Sequence, residues 1–242
     1  MNTSSIDRTK IDLQFSIELE GPLAIWSGFR RGQIQRTVLR SLQGQPFIPA
    51  STLKGRVRDA AERLAKTLGH DICGAPDPDL MCGNGASCLV CRTFGSPGIS
   101  ALSGHTGLIW RDAKLIDEKD NPVEVKKEEA DALYYARTQV QLSRLRGTAQ
   151  EQHLFTSETT IENLRFRGRI RGWLPAVTRT AGKFPEELVL LCSALRLLTF
   201  VGGSKSRGAG LCKVSLPANL ELNDKPTPIN EILNEISYLQ RA

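Results

Sequence analysis

No stretch of the chain approaches the roughly 18 uninterrupted apolar residues that cross a bilayer, so a helical membrane span within it is excluded. Met1 to Lys10 is polar and lacks the apolar centre of a secretion signal, and a cytoplasmic protein with reduced thiols is expected. A Gly-Lys-Ser/Thr triplet opening a helix after a strand is also missing, which rules out a Walker-type phosphate loop. The most informative absence is one of charge. From Gly21 to Arg58 there is no Asp or Glu, although Arg30, Arg31, Arg36, Arg40, Lys54, Arg56 and Arg58 all fall inside. Solvated surfaces normally intersperse both signs, so a one-sign segment points to a polyanionic partner.

The rest of the composition agrees. The 242 residues carry a formal charge of +6, and their 40% hydrophobic share is enough for one elaborated domain or two small fused ones. Near the C-terminal end the chain reads Phe200-Val201-Gly202-Gly203-Ser204-Lys205-Ser206-Arg207-Gly208-Ala209-Gly210. Glycines let backbone N–H groups come close to an anion, and Lys205 and Arg207 supply countercharge, so this segment is a candidate phosphate contact as well as a candidate surface turn.

Ile11, Leu13, Phe15, Ile17 and Leu19 alternate with polar residues and predict a strand with one buried face. Gly21 to Pro49 reads as a long functional loop. Ser51 or Thr52 is placed to cap a helix reaching about Leu68, with Leu53, Val57, Ala60, Ala61, Leu64 and Leu68 as its apolar stripe. Lys54 stands in the first turn of that helix, where the dipole favours an anion, and a bound phosphate would resolve the conflict. A hairpin-like stretch is expected around Thr106 to Ile116, and a charged excursion over Asp117 to Ala132. Arg137 to Thr148 reads as a ribbon in which Val140, Leu142 and Leu145 alternate with polar groups and with Arg144 and Arg146, as in ribbons that wedge between bases. Arg165, Arg167, Arg169 and Arg171 share one face of a strand, suited to phosphates or to a charged sheet edge. Phe184 to Phe200 reads as an apolar helix, Leu211 to Leu216 as a strand and Pro226 to Arg241 as an amphipathic helix.

Cys73, Cys82, Cys88 and Cys91 crowd a segment whose Gly and Pro residues forbid regular structure. Four thiols with one CxxC pair match the ligand number of structural zinc, and His70 is a possible substitute ligand. Cys192 and Cys212 lie in apolar runs and are expected in the core.

The order of these pieces resembles the RAMP superfamily, and within it the repeated backbone subunits of type III CRISPR effector complexes. The likeness rests on Phe47-Ile48-Pro49-Ala50-Ser51-Thr52-Leu53-Lys54-Gly55 at a helix start, Arg144-Leu145-Arg146-Gly147-Thr148-Ala149, Leu154-Phe155-Thr156-Ser157-Glu158, and the glycine loop, and it covers nearly the whole chain. It implies an α+β fold: a single RAMP-type domain over 1–242 with a ferredoxin-like, RNA-recognition-motif-like core. The insertions would be a zinc loop at 68–93 and a thumb hairpin within 117–162. By the same likeness, RNA would be held by Arg30, Arg31, Arg36, Ser51, Lys54, Arg56, Arg58, Arg144, Arg146, Gly202, Gly203, Ser204, Lys205 and Arg207. The implied partners are CRISPR guide RNA, target RNA, sibling RAMP subunits and the large polymerase-like subunit, with no membrane. Cleaving relatives carry an aspartate in the loop after the first strand. Here Gln35 corresponds best, and an amide cannot take a proton from a 2′-hydroxyl. A subunit that positions RNA without cutting it is expected. The alternative is a RAMP endoribonuclease that cuts target or processes precursor RNA, with His70, His105 and His153 as its candidate acids and bases.

Overall fold

The computed structural model describes residues 8–75, 77–82, 87–96, 106–174 and 182–241, with the backbone alone for Pro78 and residues 151–153. Strand β1 (Thr9–Leu19) is the central element. Its odd-numbered apolar residues from Ile11 to Leu19 are all buried, as the alternation requires. β2 (Phe47–Ile48) leads into α1 (Ala50–Thr67), which buries Leu53, Val57, Ala60, Ala61 and Ala65. Short α2 (Leu89–Phe94) follows the cysteine segment, and β3 (Ile109–Ile116) returns to the sheet. β4 (Tyr134–Leu142) and β5 (Ala149–Thr160) form a separate two-stranded ribbon. Then come β6 (Arg165–Leu174), α3 (Glu186–Arg196), β7 (Cys212–Ser215), β8 (Asn219–Leu222), β9 (Lys225–Pro228) and α4 (Ile229–Asn234).

The main sheet is antiparallel and runs β2-β3-β6-β1-β8-β9, with β7 sharing the β1 edge beside β8. β1 pairs with β6 from Thr9↔Leu174 to Glu18↔Arg165. This register puts Phe166 and Ile170 with Leu13 and Ile17 on the buried face, in one core with α1 and α3. The fold is thus a mixed α and β structure, as its sequence pattern implies.

Several local expectations give way to tertiary effects. Neither Ser51 nor Thr52 caps α1: Pro49 occupies the N-cap without a side-chain bond, its φ of −58° already close to helical. The apolar helix spans only Glu186–Arg196. Residues 106–116 are not a hairpin, because β3 finds its partners at long range in β2 and β6. The C-terminal segment begins as β9, joined to β8 through Asn223 and Asp224, both at positive φ, as a type I′ turn demands. Only α4 and a 3-10 turn at Glu235–Leu239 follow. Gly21 to Pro49 is irregular but held at many points: Leu39 N–H donates to Ile25 O at 2.7 Å and Ser27 N–H to Thr37 O at 2.9 Å. Among the described residues no helix is long and apolar enough to cross a membrane.

Candidate nucleic-acid interface and cysteine cluster

Three segments distant in sequence meet beside β1. The glycine loop docks on the start of the 21–49 loop: Gly203 N–H donates to Ala24 O and Gly210 N–H to Pro22 O, both at 2.8 Å. The reason for glycine is steric. A Cβ at Gly203 would lie 2.7 Å from the Trp26 ring, and one at Gly210, where φ is +78°, would run into Val201 O. These two N–H groups are therefore engaged within the chain and are not offered to an anion. Ser204 (φ +56°) begins a 3-10 turn at Lys205–Arg207, whose two cations reach outward.

The β4–β5 ribbon closes the arrangement. Gln35 N–H donates to Thr156 O at 3.0 Å while its side-chain carbonyl accepts Thr156 N–H. Glu158 N–H donates to Arg36 O at 2.8 Å, and Thr160 N–H to Leu23 O at 3.0 Å. Arg207 donates to Gln139 Oε1 at 2.7 Å and lies over Phe155, tying the glycine loop to the ribbon. Arg36 stacks over Trp26 at 5.0 Å, and Lys205 over Phe200 at 4.6 Å.

A partly buried ion-pair network that the sequence did not reveal, centred on buried Glu158, holds this junction. Glu158, 4% exposed, accepts from Arg40 Nη2 at 2.6 Å and from Val38 N–H at 2.9 Å. Arg40 also pairs with Asp131 at 2.5 Å and lies 3.7 Å over the Tyr134 ring. Asp131 is held below the usual carboxylate range by hydrogen bonds from Arg40 and Arg31. Burial raises the Tyr134 hydroxyl, which donates to Gly44 O at 2.8 Å. These four residues are spread over more than a hundred positions in polar context, with no periodicity to mark them.

Arg30, Arg144 and Arg146 are exposed. Beside them stand apolar side chains that the core does not cover: Phe29 is 75% and Leu145 95% exposed, with Val140, Leu142 and Leu154 also open. Arg31 faces Asp131 at 3.4 Å. This mixture of exposed cations and unburied apolar groups, on the loop and on the ribbon, is what a stacked, charged strand of nucleic acid would cover.

The β6 arginines are different. Arg165 pairs with Glu18 at 3.0 Å and Asp120 at 3.3 Å, Arg167 donates to Asp120 O, and Arg169 forms a two-point pair with Asp12. For Arg165 and Arg169, β1 and the turn after β3 supply counter-anions in place of the phosphates that the alternation suggested, while Arg167 is held by a main-chain carbonyl.

At the start of α1, Asp112 Oδ1 accepts Ala50 N–H at 2.8 Å, so a carboxylate of the chain itself stands where a phosphate was expected. Ser51 is exposed. Arg56 Nε donates to Phe200 O at 3.3 Å. Arg58 is spent internally, on Glu62 at 2.9 Å, Gly95 O at 3.0 Å and Cys91 Sγ at 3.4 Å. Lys54 is half-buried, and burial, with Arg58 beside it, lowers its pKa. Of the residues the sequence offers as RNA contacts, Arg36, Gly202 and Arg207 lie at the junction of the loop, the glycine loop and the ribbon, Arg30, Arg144 and Arg146 are exposed on the loop and the ribbon turn, and Arg58 is engaged within the chain.

Cys73, Cys82, Cys88 and Cys91 do come together, all four sulfurs lying within 4.8 Å of one another. Cys73 and Cys91 are 3.4 Å apart, Cys73 and Cys88 3.9 Å. Sulfurs at 2.3 Å around tetrahedral zinc lie about 3.8 Å apart, so the donor set and its spacing fit such an ion. The Cys91 hydrogen bond pulls the Cys88 thiol down to about 4, the same contact raising Cys91 itself. His70 is not a ligand. It is 6% exposed, its Nε2 sits 2.6 Å from Leu239 O, and burial lowers its pKa. His105 and the His153 side chain lie outside the described residues. Cys192 and Cys212 are buried core thiols, each raised to about 12 by burial.

The sequence model of the RAMP superfamily matches residues 16–213. The CRISPR system Cms endoribonuclease Csm3 of Methanocaldococcus jannaschii is 26% identical over 215 residues, covering 84% of this chain and 80% of the relative. A type III-B Cmr-beta assembly solved in its apo state contains a chain of similar fold, with TM-score 0.53, 14% identity and coverage of 85% and 96%. A chain of the type III-B Cmr-beta structure bound to cognate target RNA aligns equally well, at TM-score 0.53 and 13% identity over the same shares. With the family's sequence pattern running from within β1 to β7, the chain belongs to the RAMP superfamily.

Proposed function

We propose that this protein is a guide-RNA-binding backbone subunit of a type III CRISPR interference complex, holding guide and target RNA in antiviral defence without cutting them. The observation that carries this reading is the junction of the 21–49 loop, the glycine loop and the β4–β5 ribbon. It is locked by backbone hydrogen bonds and Glu158, yet leaves Arg30, Arg144, Arg146 and Leu145 exposed on its outer side. In this reading β1, α1, β3, β6, α3 and β7 form a ferredoxin-like core within one domain over 1–242, and the ribbon is the thumb. Lys205, Arg207 and the outer arginines follow the RNA backbone. The partners are sibling RAMP subunits and the large polymerase-like subunit, in the cytoplasm. A zinc ion on the four cysteines would cross-link 73–91 and replace the core that this short segment cannot build.

The chemistry of the loop supports the non-cutting reading. Gln35 is pinned by Thr156, and the acids that meet the loop, Asp131 and Glu158, are both engaged by arginines and poorly placed to act as free bases. The Methanocaldococcus jannaschii relative is named an endoribonuclease, which favours cutting as the second reading. Copurification with neighbouring subunits, sequencing of bound RNA and incubation with labelled complementary target test both. Uniform guide RNA and an intact target segment at this subunit's position are expected. A cut there that persists when every other subunit is inactivated overturns the non-cutting reading, and the absence of guide RNA overturns the whole proposal.

A further inference from the structure

Strand β7 has one edge that the fold leaves open. Its register with β1 runs from Ser16↔Ser215 to Leu19↔Cys212, and just beyond it Glu20 N–H donates to Leu211 O at 2.9 Å. In an antiparallel pair the main-chain groups of alternate residues turn toward and away from the partner strand, so those of Leu211, Lys213 and Ser215 face β1 and those of Cys212 and Val214 turn outward. Cys212 N–H is taken by Thr199 O at 2.9 Å. Val214 N–H and C=O have no partner among the described residues. Beside them runs a cleft of about 290 Å³, lined without a break by residues 213–217 and, from across, by Arg196 at the end of α3 and by Ile229 and Leu233 of α4. Ile229 N–H donates to Ala218 O at 3.0 Å and so fixes α4 against the exit of the strand. Leu216, Pro217, Ile229 and Leu233 give the cleft apolar sides. Arg196 and Lys213 are exposed, and neither makes a hydrogen bond or ion pair among the described residues. No Asp or Glu lines the cleft.

We propose that this cleft docks an extended acidic segment of a partner protein, which lies along the outer edge of β7 as an added strand. Its main chain pairs with Val214 N–H and C=O, its apolar residues pack toward Leu216, Ile229 and Leu233, and its acids meet Lys213 and Arg196. The alternation of β7 sets that pattern: Val214 is buried on the core face and Lys213 is exposed on the other, so a strand laid beside them carries apolar and acidic residues in turn. In such an addition the main-chain bonds supply affinity and the side-chain sites supply selection. An edge that needs only protection from stray pairing is covered or blunted by charge; this one looks into a cavity with apolar sides. The occupant is a polypeptide because main-chain donor and acceptor stand together on the edge, while no aromatic residue lines the cleft for a base to stack on. None of its residues belongs to the RNA junction or to the cysteine cluster, so the site does not depend on the RNA reading.

The test uses the full-length protein and a labelled peptide of alternating valine and glutamate, with amide hydrogen exchange read residue by residue. In the free protein the Val214 amide should exchange faster than those of Lys213 and Ser215, and the peptide should protect it. Arg196→Glu should weaken peptide binding about tenfold or more, as should lysine in place of glutamate in the peptide. Val214→Pro removes the outward N–H, leaves the ladder to β1 in place and should abolish binding. Should that variant not fold, a peptide N-methylated at alternate residues takes the donors from the other side of the same bonds, and it too should fail to bind. The proposal is overturned if the peptide does not bind, or if it binds regardless of N-methylation and of Arg196→Glu. It is also overturned if single-stranded RNA protects the Val214 amide where the peptide does not, or if that amide is already protected in the free protein as its concentration rises, which would give the edge to a second copy of the chain.

Discussion

Two arginine-rich segments of similar density reach opposite electrostatic ends. On β6, Arg165 pairs with Glu18 and Asp120 and Arg169 with Asp12, acids of the neighbouring strand and the turn after β3, while Arg167 donates to the Asp120 main-chain carbonyl. At the loop and ribbon, the 21–58 stretch has no acid of its own; among the described residues Arg31 and Arg40 pair with Asp131 and Glu158, and Arg58, already in α1, pairs with Glu62. Arg30, Arg144 and Arg146 stay exposed. The lesson is that cation density in sequence does not identify an RNA surface. What distinguishes the two is whether cross-strand neighbours neutralise the charge, since an exposed pair is worth little to stability but removes a cation from the field that a polyanion feels.

The loop side depends on one buried acid, and its removal should have the largest effect. Glu158→Ala leaves Arg40 without its buried partner and Val38 N–H without an acceptor. A loss of about 3 kcal/mol is expected, read as a lower urea midpoint, together with weaker RNA binding because the junction loosens. Gly203→Ala, whose methyl would press on Trp26, should cost about 2 kcal/mol by the same measurement and leave the β6 side untouched.

Next comes direct discrimination between the segments. Arg144→Glu with Arg146→Glu should weaken RNA binding some tenfold or more at physiological salt with an unchanged melting temperature. The matching pair on β6, Arg167→Glu with Arg169→Glu, should change RNA affinity by less than twofold while lowering stability. Equal losses of RNA binding from both pairs would erase the distinction. A smaller effect is expected from Asp12→Asn, which releases Arg169: stability falls by less than about 1 kcal/mol and RNA affinity rises slightly at low salt.

Acid titration gives the finest test. Asp131 is held below its ordinary value of 3.8 by Arg40 and Arg31, so its folded form resists protonation more than its unfolded form. Its contribution is present above pH 3.8 and is lost as pH falls through the lower folded value. The difference in urea midpoint between wild type and Asp131→Asn should be constant above that pH and shrink below it. A constant difference down to pH 2 would show that the pair does not titrate as described.

The cysteine cluster was legible because its chemistry is local. Four thiols within nineteen positions can hardly avoid one another. The glycine loop was legible in position but not in cause. Its glycines look from sequence like room for a phosphate, whereas Gly203 and Gly210 make room for Trp26 and for the chain's own carbonyls. At the Lys54 helix start the sequence did not show the carboxylate that accepts Ala50 N–H, because it comes from Asp112, sixty-two residues away.

By itself the sequence determined the central strand and the apolar stripe of α1, because hydrophobic periodicity acts between residues a few positions apart, and the apolar run of α3, which is buried on all sides from Glu187 to Leu195. It also determined the excess of positive charge and the gathering of thiols, which are matters of composition. Only the tertiary structure decided which arginines are spent and which remain, what the glycines are for, and that Glu158, Asp131 and Asp112 matter. Those outcomes depend on strand register and on contacts across a hundred residues, where a shift of one position would have exchanged every partner on the sheet.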